Sequence, residues 1–290
     1  MLILSALVSG LGLGSMYGLL ALGFHVTYAS SGTVNFAQGS SMMLGAVLTY
    51  SLAVTFGWPM LPAVLLALAL CALYGVLVER LAVRPFARRG SNAWLMATVA
   101  LGIVADNTVL FTFGKEPRGF PMDWASGSIP IAGLSVSPLQ IAIPAAGLAL
   151  AAALHLFSRR ARAGKALLAV MQNPDAARLM GINVPLAISG AYAASTVFAG
   201  VAGILIAPLF NVHSDMGTVF GLKAFAVAIL GGLTSAWGVM LAGLIFGAAE
   251  SLITALLGSN YTHILTFALV IVALAAMPNG LFGRAEVKKV

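Results

Sequence analysis

Asp106 and Glu250 are the two charges that fall clearly inside long apolar runs of this sequence. A carboxylate at the centre of a bilayer costs about 3 kcal/mol on insertion scales, so it persists where it is paired, hydrogen-bonded or wet. Asn107 follows the first acid and Ser251 the second, and neither has an evident countercharge. Two readings stay open: a polar patch beside a solute path, or structural hydrogen bonds between helices. A second group is Tyr17, Tyr28, Asn35 and Gln38, where two full amides interrupt an apolar, glycine-flanked stretch, "SSGTVNFAQG". Such a break is too polar to face lipid, and membranes tolerate it where protein or a wet cavity satisfies the backbone. Broken helices near the midplane offer donors and acceptors to a zwitterionic or amide solute. The same amides could equally cap two half-helices.

The stretch "MQNPDAARLMGI" reads as the surface of a soluble protein set between apolar runs. Asn173 can cap a helix, Pro174 suits its first turn, Asp175 complements its positive end, and Gly181 sits where a left-handed terminator belongs. The result is a short, bounded helix whose tip carries Asp175, Arg178, Leu179 and Met180. That mixed tip suits a groove on another protein. The alternative is an amphipathic helix lying on lipid, although such helices usually carry more Lys or Arg and a larger apolar face.

The elements that must position these residues are apolar helices. The sequence is 60% hydrophobic and 8% charged, against about 25% charged in soluble domains. Runs of about twenty apolar residues recur, each long enough to cross a hydrocarbon core of about 30 Å. Expected spans are Ile3–Phe24, Gly39–Phe56, Leu61–Val83, Trp94–Phe113, Leu139–Phe157, Leu186–Pro208, Val219–Leu230, Trp237–Leu257 and His263–Met277. The Val219–Leu230 piece is short for a crossing and, with Ser30–Gly39, reads as broken or re-entrant. The first run lacks the basic flank of a signal peptide and reads as a span. The expected fold is therefore an all-α polytopic membrane protein with about eight transmembrane helices and a cytoplasmic coupling helix. It forms a single transmembrane domain over 1–290.

A net charge of +7 does not imply nucleic acid, because the basic residues cluster in short gaps without interleaved aromatics. Arg80, Arg84, Arg88 and Arg89 form one cluster. A second comprises Arg159, Arg160, Arg162, Lys165 and Arg178, and a third Arg284, Lys288 and Lys289. The positive-inside rule puts all three in the cytoplasm and leaves the charge-balanced gap Gly114–Ser137 outside. The side of the amino terminus stays open. Small-residue stripes, Gly10/Gly14/Gly18 and Ser195/Ala199/Gly203/Ala207, mark close helix packing. The segments "NAWLMATVALGIVADN" and "SAWGVMLAGLIFGAAES" echo each other weakly, as internal repeats do. Cys71 reads as packing, and the four scattered histidines lack metal-site spacing.

Function classes narrow accordingly. The Gly164-Lys165 pair lacks the rest of a phosphate loop, so ATP is bound elsewhere. No nucleophile, base or metal set accompanies Asp106 or Glu250, which argues against an intramembrane enzyme. A proton-coupled secondary transporter remains the rival on physics alone.

The segments "GLGLGSMYGLLALGF", "GTVNFAQGSSMMLGA", "ERLAVRPF", "NPDAARLMGINV", "DMGTVFGLKAFAVAILGGL" and "PNGLFGR" occur in order almost from end to end. In these the chain resembles the LivH-type permease subunits of ABC importers for branched-chain amino acids. Gln38 stands where members usually carry His. The resemblance implies a multi-pass subunit of the bacterial inner membrane, with no cofactor of its own. It implies a second homologous permease, two ATP-binding subunits that hold ATP and Mg, and a periplasmic solute-binding protein. Asn173–Gly181 would then be the helix that docks on an ATPase. Related importers for urea, an amide or an aromatic solute are the alternative.

Overall fold

The computed structural model describes residues 2–121, 127, 129–131, 134–276 and 280–281. It is helical throughout apart from one small hairpin. In chain order the helices are α1 (Leu2–Ser31), α2 (Gln38–Tyr50), α3 (Met60–Val78), α4 (Arg84–Ala87), α5 (Trp94–Phe113) and α6 (Pro138–Arg160). They continue as α7 (Arg162–Gln172), α8 (Pro174–Leu179), α9 (Val184–Phe210), α10 (Met216–Gly231), α11 (Ala236–Leu257) and α12 (Ser259–Ala276). Wider i→i+5 turns end α2 at Ser51–Thr55 and α3 at Glu79–Val83. The hairpin pairs β1 (Ile129–Ile131) with β2 (Leu134–Val136), antiparallel, within a gap expected to be loop.

Among the described residues six helices are long and apolar enough to cross a membrane, with α10 and α12 as shorter apolar helices. The piece Val219–Leu230, expected to be short and broken or re-entrant, is one continuous helix that begins at Met216 and, at 16 residues, remains one of the shorter apolar helices. The break at Gly32–Ala37 is real: α1 ends at Ser31 and α2 starts at Gln38.

Both ends of the molecule can be assigned. Arg84, Arg88 and Arg178 line one cleft, and the foot of α1, Ser31 and Gly32, meets Arg178 there. The positive-inside rule makes this end cytoplasmic, so α1 begins outside, which the sequence left open. At the opposite end Arg118 and Val212 form an isolated backbone bridge, and Arg118 caps the foot of α5 by donating to the Phe113 carbonyl at 2.7 Å. The third basic cluster, Arg284, Lys288 and Lys289, lies outside the described residues.

The core is organised around α1. Its glycine stripe meets α11 in an antiparallel seam, where a Cβ on Gly14 would stand 2.6 Å from the Gly243 carbonyl oxygen and 2.8 Å from Leu244 Cα. A Cβ on Gly10 would likewise stand 2.7 Å from Ala248 Cα. Backbones this close leave no room for any side chain, which is how small residues bind helices where lipid removes the hydrophobic drive. The α9 stripe is buried in the same way, with Ser195, Ala199 and Ala207 fully enclosed. On its other flank α1 runs beside α10 in the same direction, Tyr17 against Phe220 and Phe24 against Phe225.

The seam gives a direct expectation. Gly14→Val forces α1 and α11 apart and costs about 1–3 kcal/mol or more from overpacking, lowering the melting temperature of the detergent-solubilised protein. Gly12→Ala meets Gln140 Cα at an ordinary 3.9 Å and should leave that temperature unchanged.

Candidate functional site

The sequence offered Tyr17, Tyr28, Asn35, Gln38, Asp106, Asn107 and Glu250 as candidates for a solute path. The structure distributes them over five settings. Tyr17 and Tyr28 are eleven residues apart on α1, about 16 Å of helix rise, so they do not form one cluster with the amides. Tyr28 instead lines a cytoplasmic cavity of about 600 Å³ together with Met171, Pro174 and Arg178.

Asn35 and Gln38 are fully buried and bond to protein. Asn35 Oδ1 accepts from the Ala37 N–H at 3.0 Å, and its Nδ2 donates to Gln38 Oε1 at 3.4 Å. Gln38 Nε2 donates to the Ser195 carbonyl at 3.0 Å, while the Ser195 hydroxyl donates to Gln38 Oε1 and the Gly23 carbonyl, each at 2.9 Å. This lock ties the start of α2 to the middles of α1 and α9, and it satisfies the break, as capping would.

Asp106 is half-buried beside a groove of about 190 Å³ that Ser40, Gly217 and Gly221 also line. One of its oxygens, Oδ1, is buried without a hydrogen-bond partner among the described residues. Asn107 turns outward and donates to its own helix, at the Ile103 carbonyl, 2.8 Å. Asp106 and Glu250 line different cavities, so they do not work as a pair.

Glu250 has a partner that the sequence reading missed. Lys223 of α10 donates to Glu250 Oε1 across the α10–α11 interface, with both side chains nearly enclosed, 3% and 9% exposed. Lys223 hid inside the Val219–Leu230 run; the signal was the lysine itself, a charge inside an apolar helix. The pair lies at the centre of the molecule. Lys223 is the eighth of 16 residues in α10, and Tyr17 the sixteenth of 30 in α1. Tyr17 stacks edge-on against Phe246, 5.5 Å between centroids, and its ring lies 6.0 Å from Lys223 Nζ. Its hydroxyl faces Glu250 closely enough to interact with the carboxylate, while Glu250 Oε2 is buried and makes no well-formed hydrogen bond among the described residues.

These three residues form the inner wall of a cavity of about 430 Å³. Thr254 and Thr262, 2.9 Å apart, line its side. Its outer rim carries His263 and the His213–Asp215 pair, 2.6 Å apart. A cation, an anion with a free oxygen, and a phenol at mid-membrane can bind a small charged or zwitterionic solute.

The cytoplasmic end is built as firmly. Arg84 grips Glu79 with two parallel bonds of 2.9 and 2.8 Å and also donates to Ser189 Oγ and the Pro185 carbonyl. Residues five apart lie about 140° apart around an α-helix; the i→i+5 turn at Glu79–Val83 is what lets them meet. Arg84 therefore joins α3 to α9, beyond the topological role its cluster suggested. The bounded helix is α8: Asn173 Oδ1 accepts from the Asp175 and Ala176 N–H groups, both at 3.0 Å, and Asp175 pairs with Arg178 at 2.9 Å. Gly181 takes φ +81°, the left-handed terminator its position required. Ala177 packs inward on Val170 and Val184, while Leu179 and Met180 stand 90% and 81% exposed.

Crossing helices, a charged central cavity and a projecting cytoplasmic tip define the transmembrane subunit of a transporter. Residues 6–274 match the family described as the permease component of branched-chain amino acid transport systems, and the chain belongs to that family. It is 32% identical over 300 aligned residues to the high-affinity branched-chain amino acid transport system permease protein LivH of Escherichia coli K12, covering 99% of this chain and 97% of that one. Identity to the corresponding Pseudomonas aeruginosa protein, BraD, is 31% over 302 residues, covering 99% and 98%. A probable branched-chain amino acid permease of Methanocaldococcus jannaschii shares 28% over 286 residues, covering 91% and 88%. The chain is a multi-pass permease subunit of the bacterial inner membrane.

Two expectations follow from the site. Asn35→Leu strips the lock of two bonds and should destabilise the protein by about 1–3 kcal/mol, read as a lower melting temperature, whereas Asn107→Leu on the outer face should not. Lys223→Met leaves Glu250 buried and alone, at a cost of about 3–5 kcal/mol; Lys223→Met with Glu250→Leu should recover most of that stability.

Proposed function

We propose that this chain forms, with a second homologous permease, the path by which an ATP-driven importer passes branched-chain or related amino acids. A periplasmic solute-binding protein delivers the solute, and two separate subunits bind and hydrolyse ATP with Mg. The chain acts as one domain over 1–290 with no cofactor of its own. About eight helices cross, with a broken segment at Ser30–Gly39. The similarity to LivH and BraD supports the solute class.

The observation that carries the coupling is the tip Asn173–Gly181. Two of its strongly exposed residues are apolar, Leu179 and Met180, while Pro174 and Arg178 line the same cavity as Tyr28 and Gly32 at the foot of α1. A push on the tip thus reaches the helix that carries Tyr17. Arg178→Glu with Leu179→Asp changes the tip without entering lipid. It should leave the permease in the membrane while abolishing both association with the ATPase subunits and uptake; wild-type values for both would refute the coupling role.

The rival, proton-coupled transport, has Asp106 in its favour, with one buried oxygen unpartnered. The deciding measurement is uptake in vesicles supplied with ATP after the proton gradient is collapsed. Uptake should persist in wild type and, reduced, in Asp106→Asn. Uptake that dies with the gradient despite ATP would replace the importer with the rival.

A further inference from the structure

We infer that the cavity between α1, α10, α11 and α12 is a recognition subsite for a zwitterion, with Glu250 taking the ammonium group and Lys223 the carboxylate. The inference rests on the importer reading only for the source of that zwitterion, an amino acid in transit; the chemistry of the site stands on its own residues. Glu250 uses one oxygen on Lys223; the other, Oε2, is buried near the Tyr17 hydroxyl and makes no well-formed hydrogen bond among the described residues. An N–H donor would complete it. Lys223 carries three N–H donors and spends one on Glu250, its hydrogen-bond partner among the described residues. What remains is an acceptor with capacity to spare beside unfilled donors, the complement of an α-amino acid's two charged groups.

The surroundings fit the rest of such a molecule. Leu13, Met216, Val219 and Phe220 give the cavity an apolar wall, suited to an aliphatic side chain, and about 430 Å³ leaves space for one beside the pair. The site is deep. Lys223 is halfway along α10, about 10 Å of helix from Met216 at its outer end, where a phospholipid headgroup does not reach without leaving its own interface. The polar rim of His213, Asp215 and His263 marks the entrance from the outer side. A purely structural pair would only fasten α10 to α11, a task an apolar contact performs as well.

The test reads the cavity directly. The lone cysteine is removed by Cys71→Ala, and Thr262→Cys places a thiol on the cavity wall. Modification by a charged, water-soluble thiol reagent is followed in right-side-out membrane vesicles of the complete importer, washed free of binding protein. Added L-leucine should slow the modification, by about tenfold at about ten times the half-protecting concentration as the vacant fraction falls. Leucine stripped of its carboxylate, 3-methylbutylamine, and leucine stripped of its ammonium, 4-methylpentanoate, should each protect far less. Protection should vanish in Lys223→Met with Glu250→Leu at unchanged membrane content. If that variant fails to insert, Glu250→Gln, which keeps the shape without the charge, should show the same loss.

A thiol that never reacts, a rate indifferent to leucine, equal protection by all three compounds, or protection that survives the variants would each overturn the subsite. ATP dependence of uptake, measured on the same vesicles, is read separately. Protection without ATP-driven uptake keeps the subsite and removes the importer; ATP-driven uptake without protection does the reverse.

Discussion

Most of this architecture depends on the close approach of α1 to α11. Gly10, Gly14 and Gly18 lie against Gly243 and Gly247 with their backbones nearly touching, and Glu250 stands three residues beyond Gly247 on the helix that this seam holds. Bringing α11 so near α1 is what sets Glu250 facing Tyr17. Lys223 can then complete the group from α10, which is registered on α1 by Tyr17–Phe220 and Phe24–Phe225. The charged cavity is thus a product of small residues, which contribute no polar atoms to it.

Charge is handled differently at the two depths. Near the cytoplasmic end Arg84 and Glu79 satisfy each other through two bonds and use the remaining capacity on Ser189 and Pro185. At mid-membrane the Lys223–Glu250 pair leaves one carboxylate oxygen without a donor. A pair that is completed on all sides fastens helices, whereas a pair left incomplete beside a cavity retains capacity for a guest. The Arg84 side chain is the more exposed cation, 25% against 3% for Lys223, and more neighbouring polar atoms converge on its pair.

Much of the fold was legible in the sequence because lipid makes hydropathy decisive. Trp94–Phe113 was read to the residue, most other spans to within a few, though α1 runs seven residues past the expected Phe24 to Ser31, and the cap and terminator of α8 followed from Asn173, Pro174 and Gly181. The stripes on α1 and α9 were legible as packing, though their partners were not. Val219–Leu230 was read as short, and it stays short at 16 residues even with Met216 and Gly217 added; only the expected break is absent. The same run concealed Lys223, a single cation in an otherwise apolar helix, whose meaning depends on a residue 27 positions away. Long-range pairing of this kind is set by helix packing, and no local pattern announces it. The Glu79–Arg84 contact was hidden for another reason: its spacing is wrong for an α-helix and right only for the wider turn that forms there.

The seam also governs how this protein can change over generations. Glycine has the smallest side chain, so every single-base change that replaces a glycine codon's product adds atoms. At Gly14 and Gly243 the added atoms meet main chain, which cannot swing aside as the end of a long side chain can. Those positions are closed to gradual drift. Variation must instead accumulate on the outward faces, around residues such as Phe111 and Leu186, where the neighbour is lipid or another subunit and a new shape meets nothing rigid.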